Sequence, residues 1–325
     1  MSLIAGTLEY HESLPALHEL QDVLYIPATP RRGVNKLSAD GGLYTRDGRL
    51  WVECRKVRGP ESALVFGTPD RIDPVPDMEE IAEDVLYFGY LPDHYGHLLT
   101  EGLSRAWSLV SIGWKGKVLF HALDASNTAN NRDCLIRRML TILGLEDRRI
   151  IVSDRPLRFR RVLVPDAALT NRVGIYRVFP AVFEAAARRL VDLRDRDARP
   201  LYLARTRGGT QPIAGEERLT EALEKRGVVI AHMQELPVPE QIRLVNRHSA
   251  VIGYVGSQMH NQIFSLTDRP TILLHGGESY VPNHVMIHHM KDKPLVRLET
   301  PVTRSVGSTP ADIEALADSI IRSCR

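Results

Sequence analysis

The sequence predicts an α/β protein of two lobes, and three observations carry that prediction. In the C-terminal half, short β-rich runs at 201–204, 228–232, 250–254, 271–274 and 295–298 alternate with helical segments at 216–226, 239–247 and 257–267. Strands alternating with helices of this length are the mark of βαβ units on a parallel sheet, which makes this half Rossmann-like. In the N-terminal half, strand-like runs at 63–66, 85–89, 118–121 and 149–152 are separated by helical segments at 94–112 and 131–143. Between the halves, a helix beginning near Pro180 runs into the charged stretch 192–200, a natural connector. The chain therefore divides into an N-terminal lobe at 1–175, a C-terminal lobe at 176–310 and a closing amphipathic helix at 311–325.

Local chemistry supports the individual elements. Asp47-Gly48, flanked by alternating residues, predicts a β-hairpin over 41–58. Pro237 and Pro239 suit the first turn of a helix. Gly227, just after Lys225-Arg226, reads as a helix stop with basic residues on the last turn.

Composition excludes several classes. The 325 residues exceed the usual 100–200 of one domain, and 42 Lys plus Arg against 40 Asp plus Glu leave a net charge of only +2. Such a chain has no global field for coating nucleic acid, so no nucleic-acid partner is expected and any anion site must be local. Cys54, Cys134 and Cys324 are scattered and form no C-x-x-C, which argues against a zinc ribbon or a disulfide framework. No apolar run approaches the roughly 18–20 residues of a bilayer span. The N-terminus lacks the basic and apolar regions of a secretory signal, and the expectation is a cytoplasmic protein.

Four stretches can carry chemistry. On a helical wheel over 94–112, Leu99, Leu103, Ala106, Trp107 and Val110 share one arc, while His94, His97, Glu101, Ser104, Arg105 and Ser108 fall opposite. His97, Glu101 and Arg105 are spaced i, i+4, i+8, so they can form an imidazole–carboxylate–guanidinium row that orients a general base. The alternative is a solvated helix face. At 201–210 a strand runs into Arg205, Arg207 and a Gly-Gly turn, a set suited to phosphate. At 251–264 a strand enters a Gly256-Ser257 turn and then a helix whose first N–H groups make an anion site. At 274–280 a third strand runs into glycines and Glu278, a carboxylate placed for ribose hydroxyls or for capping the loop. His284, His288 and His289 have helical spacing but no H-E-x-x-H arrangement, and Asp195-Arg196-Asp197 sits in a charged helix end, so no metal site is expected.

Together these stretches resemble glycosyltransferase family 61, found in plant and animal sugar transferases and in bacterial capsule and polysaccharide loci. The resemblance spans roughly 85–296. It rests on Tyr95-Gly96-His97 with Glu101 and Arg105, Tyr202-Leu203-Ala204-Arg205, Glu217, Pro239-Glu240-Gln241, Ala250-Val251-Ile252-Gly253, and Gly256-Ser257 with His260-Asn261 and Phe264. It implies a GT-B-like fold of two Rossmann-like lobes facing a cleft, with the acceptor on the N-terminal side and the donor on the C-terminal side. It further implies inverting, metal-independent transfer from a nucleotide sugar, a UDP-sugar foremost, to a glycan or other hydroxyl acceptor. Under that reading His97 or Glu101 is the base, His94 and Arg105 contact substrate, and Arg205, Arg207, Gly256, Ser257, His260, Asn261 and Glu278 hold the donor. Any membrane contact would be peripheral, at the inner membrane, and oligomeric state is left open. Val255 stands where eukaryotic members tend to carry a histidine, which keeps a non-catalytic nucleotide-sugar-binding protein as the alternative.

Overall fold

The computed structural model describes residues 8–31, 38–59, 63–73, 78–205, 213–276, 282–300 and 309–324. The fold is mixed α/β and divides into two compact units, Met1–Val182 and Phe183–Arg325. The boundary falls within the helix Ala181–Leu190.

The first unit is built on a seven-stranded mixed sheet. Its strands are β1 (Leu17–Pro30), β2 (Ala39–Tyr44), β3 (Glu79–Ile81), β4 (Val85–Tyr90), β5 (Lys117–His121), β6 (Ile150–Ile151) and β7 (Leu157–Pro165). The order is β2-β1-β7-β4-β5-β6, with β3 beside the start of β7. β1 runs antiparallel to β2 and β7, whereas β7, β4, β5 and β6 are parallel. All six residues of β4 are buried, as expected of a parallel strand covered on both faces. Val23, Tyr25, Val85, Tyr87, Leu119, Phe159 and Val162 pack together on one of those faces.

Two expectations change here. The Asp47-Gly48 turn forms, with Thr45 N–H donating to Arg49 O at 2.8 Å and Gly48 at φ +80°. The hairpin expected over 41–58 does not continue from it. Val52–Cys54 is a short 3-10 turn, and Lys56–Arg58 pairs antiparallel with Ala63–Phe66 instead. Buried Cys54, whose Sγ accepts from Leu43 N–H at 3.3 Å, pins the chain where it turns away. The helix expected over 94–112 is likewise broken into an α turn Tyr95–His97, a π turn Leu98–Gly102, a 3-10 turn Leu103–Arg105 and a final α turn Ser108–Ser111. Hydroxyls of Thr100, Ser104 and Ser108 donate to the carbonyls of Gly96, Glu101 and Arg105, competing with the regular helical ladder.

The second unit is a five-stranded, all-parallel sheet. Its strands are β8 (Leu201–Ala204), β9 (Val229–His232), β10 (Val251–Tyr254), β11 (Thr271–His275) and β12 (Leu295–Glu299), in the order β9-β8-β10-β11-β12. Alternate residues face opposite sides. Tyr202, Ile252 and Leu274 join Leu219, Leu223, Ile313 and Ile320 of the helices Glu216–Glu224 and Pro310–Ser323. Leu203, Val251 and Leu273 join Val245 of the helix Val238–Arg247, with Met259. The closing helix, expected over 311–325, starts at Pro310 behind a Thr309–Asp312 capping box.

Candidate active site

In the first unit the side chains converge on Glu101. Lys56 and Arg58 are two apart on one strand, so they share a face, and the short hairpin presents both to the carboxylate. Arg58 donates to Glu101 Oε2 from Nη2 at 2.6 Å and from Nε at 3.2 Å. Lys56 Nζ lies 3.9 Å from the same oxygen. Asn171 Nδ2 donates to Oε1 at 3.1 Å, and His97 Nδ1 sits 3.2 Å from Oε1. Burial pushes the Glu101 carboxyl pKa up, but the His97 hydrogen bond, the Lys56 charge and the Arg58 hydrogen bond and charge outweigh it and bring it down to about 2. Burial also draws the Lys56 ammonium down to about 8 against the pull of Glu101.

Glu101 is therefore a fixed carboxylate at neutral pH, suited to orienting a partner rather than taking a proton. Its side chain is 4% exposed, whereas that of His97 is 31% exposed. The His94 ring lies 4.8 Å from that of His97, and partial desolvation, then the His97 ring, hold the His94 imidazole below its usual pKa.

The expected row of His97, Glu101 and Arg105 stops at Glu101. A π turn takes more residues per turn than an α-helix, so Arg105 leaves the face that its spacing assigned to it. Rather than contacting substrate, its buried guanidinium donates to the carbonyls of Pro165, of Glu53 at 2.7 Å and of Arg55 at 3.2 Å, and lies over the Tyr87 ring. Gly89, at φ +85°, makes room for it: a Cβ there would come within 3.2 Å of Arg105 Nε. The guanidinium beside the carboxylate belongs to Arg58. Sequence reasoning missed Lys56, Arg58 and Asn171; the available hint was the cation–apolar–cation alternation of Lys56-Val57-Arg58.

In the second unit, Arg205 leaves the end of β8 and the Gly256-Ser257 turn leaves the end of β10, the adjacent parallel strand. The sheet order reverses between these two strands, which is where open α/β sheets bind ligands beyond the strands' carboxyl ends. Arg205 Nη1 reaches Val255 O at 3.4 Å, and a Cβ on Gly256 would sit 3.1 Å from that nitrogen, so glycine lets the guanidinium lie against the turn. Buried Glu216 fixes the end of the strand, accepting from Arg205 N–H at 3.1 Å and from Tyr202 OH at 2.8 Å. Ser257 opens the 3-10 helix Ser257–Phe264. Deeper in that helix, Asn261 donates to Gln241 Oε1 and Gln258 O, both at 3.0 Å, and so braces the turn. His260 stacks on His284 with ring centroids 4.3 Å apart, and burial holds the His284 imidazole well below its usual pKa. Arg207 and Glu278 lie outside the described residues. Of the D-x-D pair, Asp197 is taken up by Arg199 and Asp195 by Arg247. Among the described residues, no three His, Cys, Asp or Glu side chains group as metal ligands would, and no helix is long and apolar enough to cross a membrane.

A family model described as Glycosyltransferase 61 matches residues 95–273, more than half of the chain. The chain belongs to that family. It is a glycosyltransferase, and its reaction joins a sugar donor to an acceptor. No curated protein is significantly similar to it. The match embraces His97, Glu101, Asn171, Arg205 and the Gly256-Ser257 turn, but Lys56 and Arg58 precede it. In this glycosyltransferase the cations that hold Glu101 thus come from outside the region that identifies the family.

Proposed function

We propose that the protein transfers a sugar from a nucleoside-diphosphate sugar, a UDP-sugar foremost, to a hydroxyl acceptor with inversion and without a metal ion, as a GT-B-type enzyme. The first unit serves the acceptor and the second serves the donor. The observation that carries this reading is Arg205 lying against the Gly256-Ser257 turn at the switch point of a parallel sheet. A guanidinium and the first N–H groups of a helix offer the charge and the donors that a leaving diphosphate requires.

On the acceptor side His97 takes the base role. His97 Nδ1 lies 3.2 Å from Glu101 Oε1 and 3.1 Å from Arg58 Nη2, which also donates to Oε2 at 2.6 Å; in this reading Nδ1 carries the hydrogen and donates it to Oε1. That tautomer places the lone pair on Nε2 and keeps the ring oriented. Nε2 accepts the proton of the acceptor hydroxyl as its oxygen attacks the anomeric carbon. The bond from that carbon to the phosphate oxygen breaks, and the nucleoside diphosphate leaves with the electron pair. Glu101 stays ionised throughout and stabilises the imidazolium that forms.

The test is thermal unfolding of the full chain with UDP, GDP and CMP, each with magnesium and with EDTA. At about 100 times its dissociation constant, a nucleotide that binds only the folded state adds about 2.7 kcal/mol. The expected result is stabilisation by one nucleoside diphosphate that survives EDTA and is absent from Arg205→Ala. Stabilisation that vanishes with EDTA, or that persists in Arg205→Ala, would overturn the donor assignment.

A further inference from the structure

β4 and β5 are neighbouring parallel strands, and beyond their carboxyl ends lies a cavity of about 180 Å³. Leu91, Ala122 and Ile136 form a buried apolar floor, while Asp93, Asp124 and Asn127 stand exposed on the rim. The placement is the one that α/β sheets use for ligands, and an apolar floor with a few convergent polar groups is the usual make-up of a small-molecule pocket. The volume suits a single pyranose, whose C–H face packs on apolar side chains while its hydroxyls donate to carboxylates.

The rim can still take a ligand. Asp93 makes no hydrogen bond or ion pair among the described residues, and Asp124 commits Oδ1 to Asn127 N–H at 2.9 Å. Two carboxylates with no Lys, Arg or His in the lining select against an acidic sugar. The cavity also adjoins the Glu101 cluster. Asp93 directly precedes His94, whose ring contacts that of His97, and Tyr90 in the cavity wall carries Lys56 Nζ 5.4 Å from its ring centroid.

Resting on the transfer reading above, we propose that this cavity binds the acceptor's sugar, and that this sugar is a neutral or amino pyranose rather than a uronate. The site lies wholly within the first unit, so its binding is measurable without any donor.

Saturation-transfer NMR on the full chain with the methyl glycosides of glucose, galactose, xylose, glucosamine and glucuronic acid tests it. At least one neutral or amino glycoside should receive saturation, with the signal reduced fivefold or more in Asp93→Asn and Asn127→Leu, two rim changes that leave the buried floor intact. The proposal falls if no glycoside makes contact, if contact is unchanged in both variants, or if the glucuronide is preferred. UDP stabilisation on the same samples separates the two readings. A UDP shift without glycoside contact removes the cavity and keeps the donor site, whereas rim-dependent glycoside contact without a UDP shift keeps the cavity and removes the donor assignment.

Discussion

The two units assemble their polar groups in opposite ways. The second gathers Arg205, Gly256 and Ser257 from strand ends that are neighbours in one parallel sheet, Gly256 and Ser257 lying in the step from β10 into its 3-10 helix. The first gathers Lys56, Arg58, Glu101 and Asn171 from segments 43 to 70 residues away from Glu101 in the chain, and buries a carboxylate among them. The comparison teaches that polar groups at the ends of neighbouring parallel strands are brought together by the sheet itself, whereas a buried charge needs partners drawn from distant segments.

The largest effect that would break this contrast is expected at Arg105. Its guanidinium satisfies three backbone carbonyls inside the first unit. Arg105→Met should lower unfolding free energy by on the order of 5 kcal/mol, since each unmet buried group costs about 1–3 kcal/mol. Urea denaturation checks it, and a loss below about 1 kcal/mol would show that these carbonyls find other donors.

Next comes Glu101→Gln, which removes the charge facing His97 Nδ1 at 3.2 Å. Turnover should fall roughly 10³-fold, within the range for losing an acid–base pair, while nucleotide stabilisation is kept. The same change sharpens the comparison through pH. Because the folded-state pKa of Glu101 lies near 2, below its ordinary 4.5, its contribution to stability is complete above about pH 4.5 and lost as pH falls toward 2. Wild-type protein should therefore lose more stability than Glu101→Gln between pH 5 and pH 3 in a melting series.

The smallest effect belongs to the second unit. In Gly256→Ala the added Cβ would meet Gln258 Oε1 at 2.8 Å and Arg205 Nη1 at 3.1 Å, both ends of flexible side chains that can shift. The fold should persist and nucleotide affinity should drop about tenfold, equivalent to about 1.4 kcal/mol, as read by titration calorimetry. An unchanged affinity would show that Arg205 need not lie against the turn.

The same contrast explains what could be read in advance. β8, β10 and β11 are short, largely apolar and almost wholly buried runs, followed by Arg205, by Val255-Gly256 and by Gly276, so their positions and the turn beyond β10 follow from local pattern. β1 and β7, which form the antiparallel half of the first sheet, leave weaker traces. β1 contains Asp22 at φ 51° and prolines at 27 and 30, which spoil the alternation. β7 carries Arg158 and Arg161, whose charges are met by Asp22, Glu19 and Asp84 only once the sheet has formed. The Glu101 face was misread for a related reason. A wheel of 100° per residue assumes an unbroken helix, and the hydroxyls of Thr100, Ser104 and Ser108 spoil that phase.

The hairpin that carries Lys56 and Arg58 has a practical bearing on dissection of the enzyme. A fragment trimmed to 95–273 would retain every residue by which the family is identified, His97 and Glu101 included. It would lack both cations that neutralise Glu101 and the strands β1 to β4 that frame them. Its carboxylate would lose two of the charges that outweigh the cost of its burial and would bind protons more readily than in the whole chain, so a piece that still matches the family would lack the charge balance that keeps Glu101 ionised.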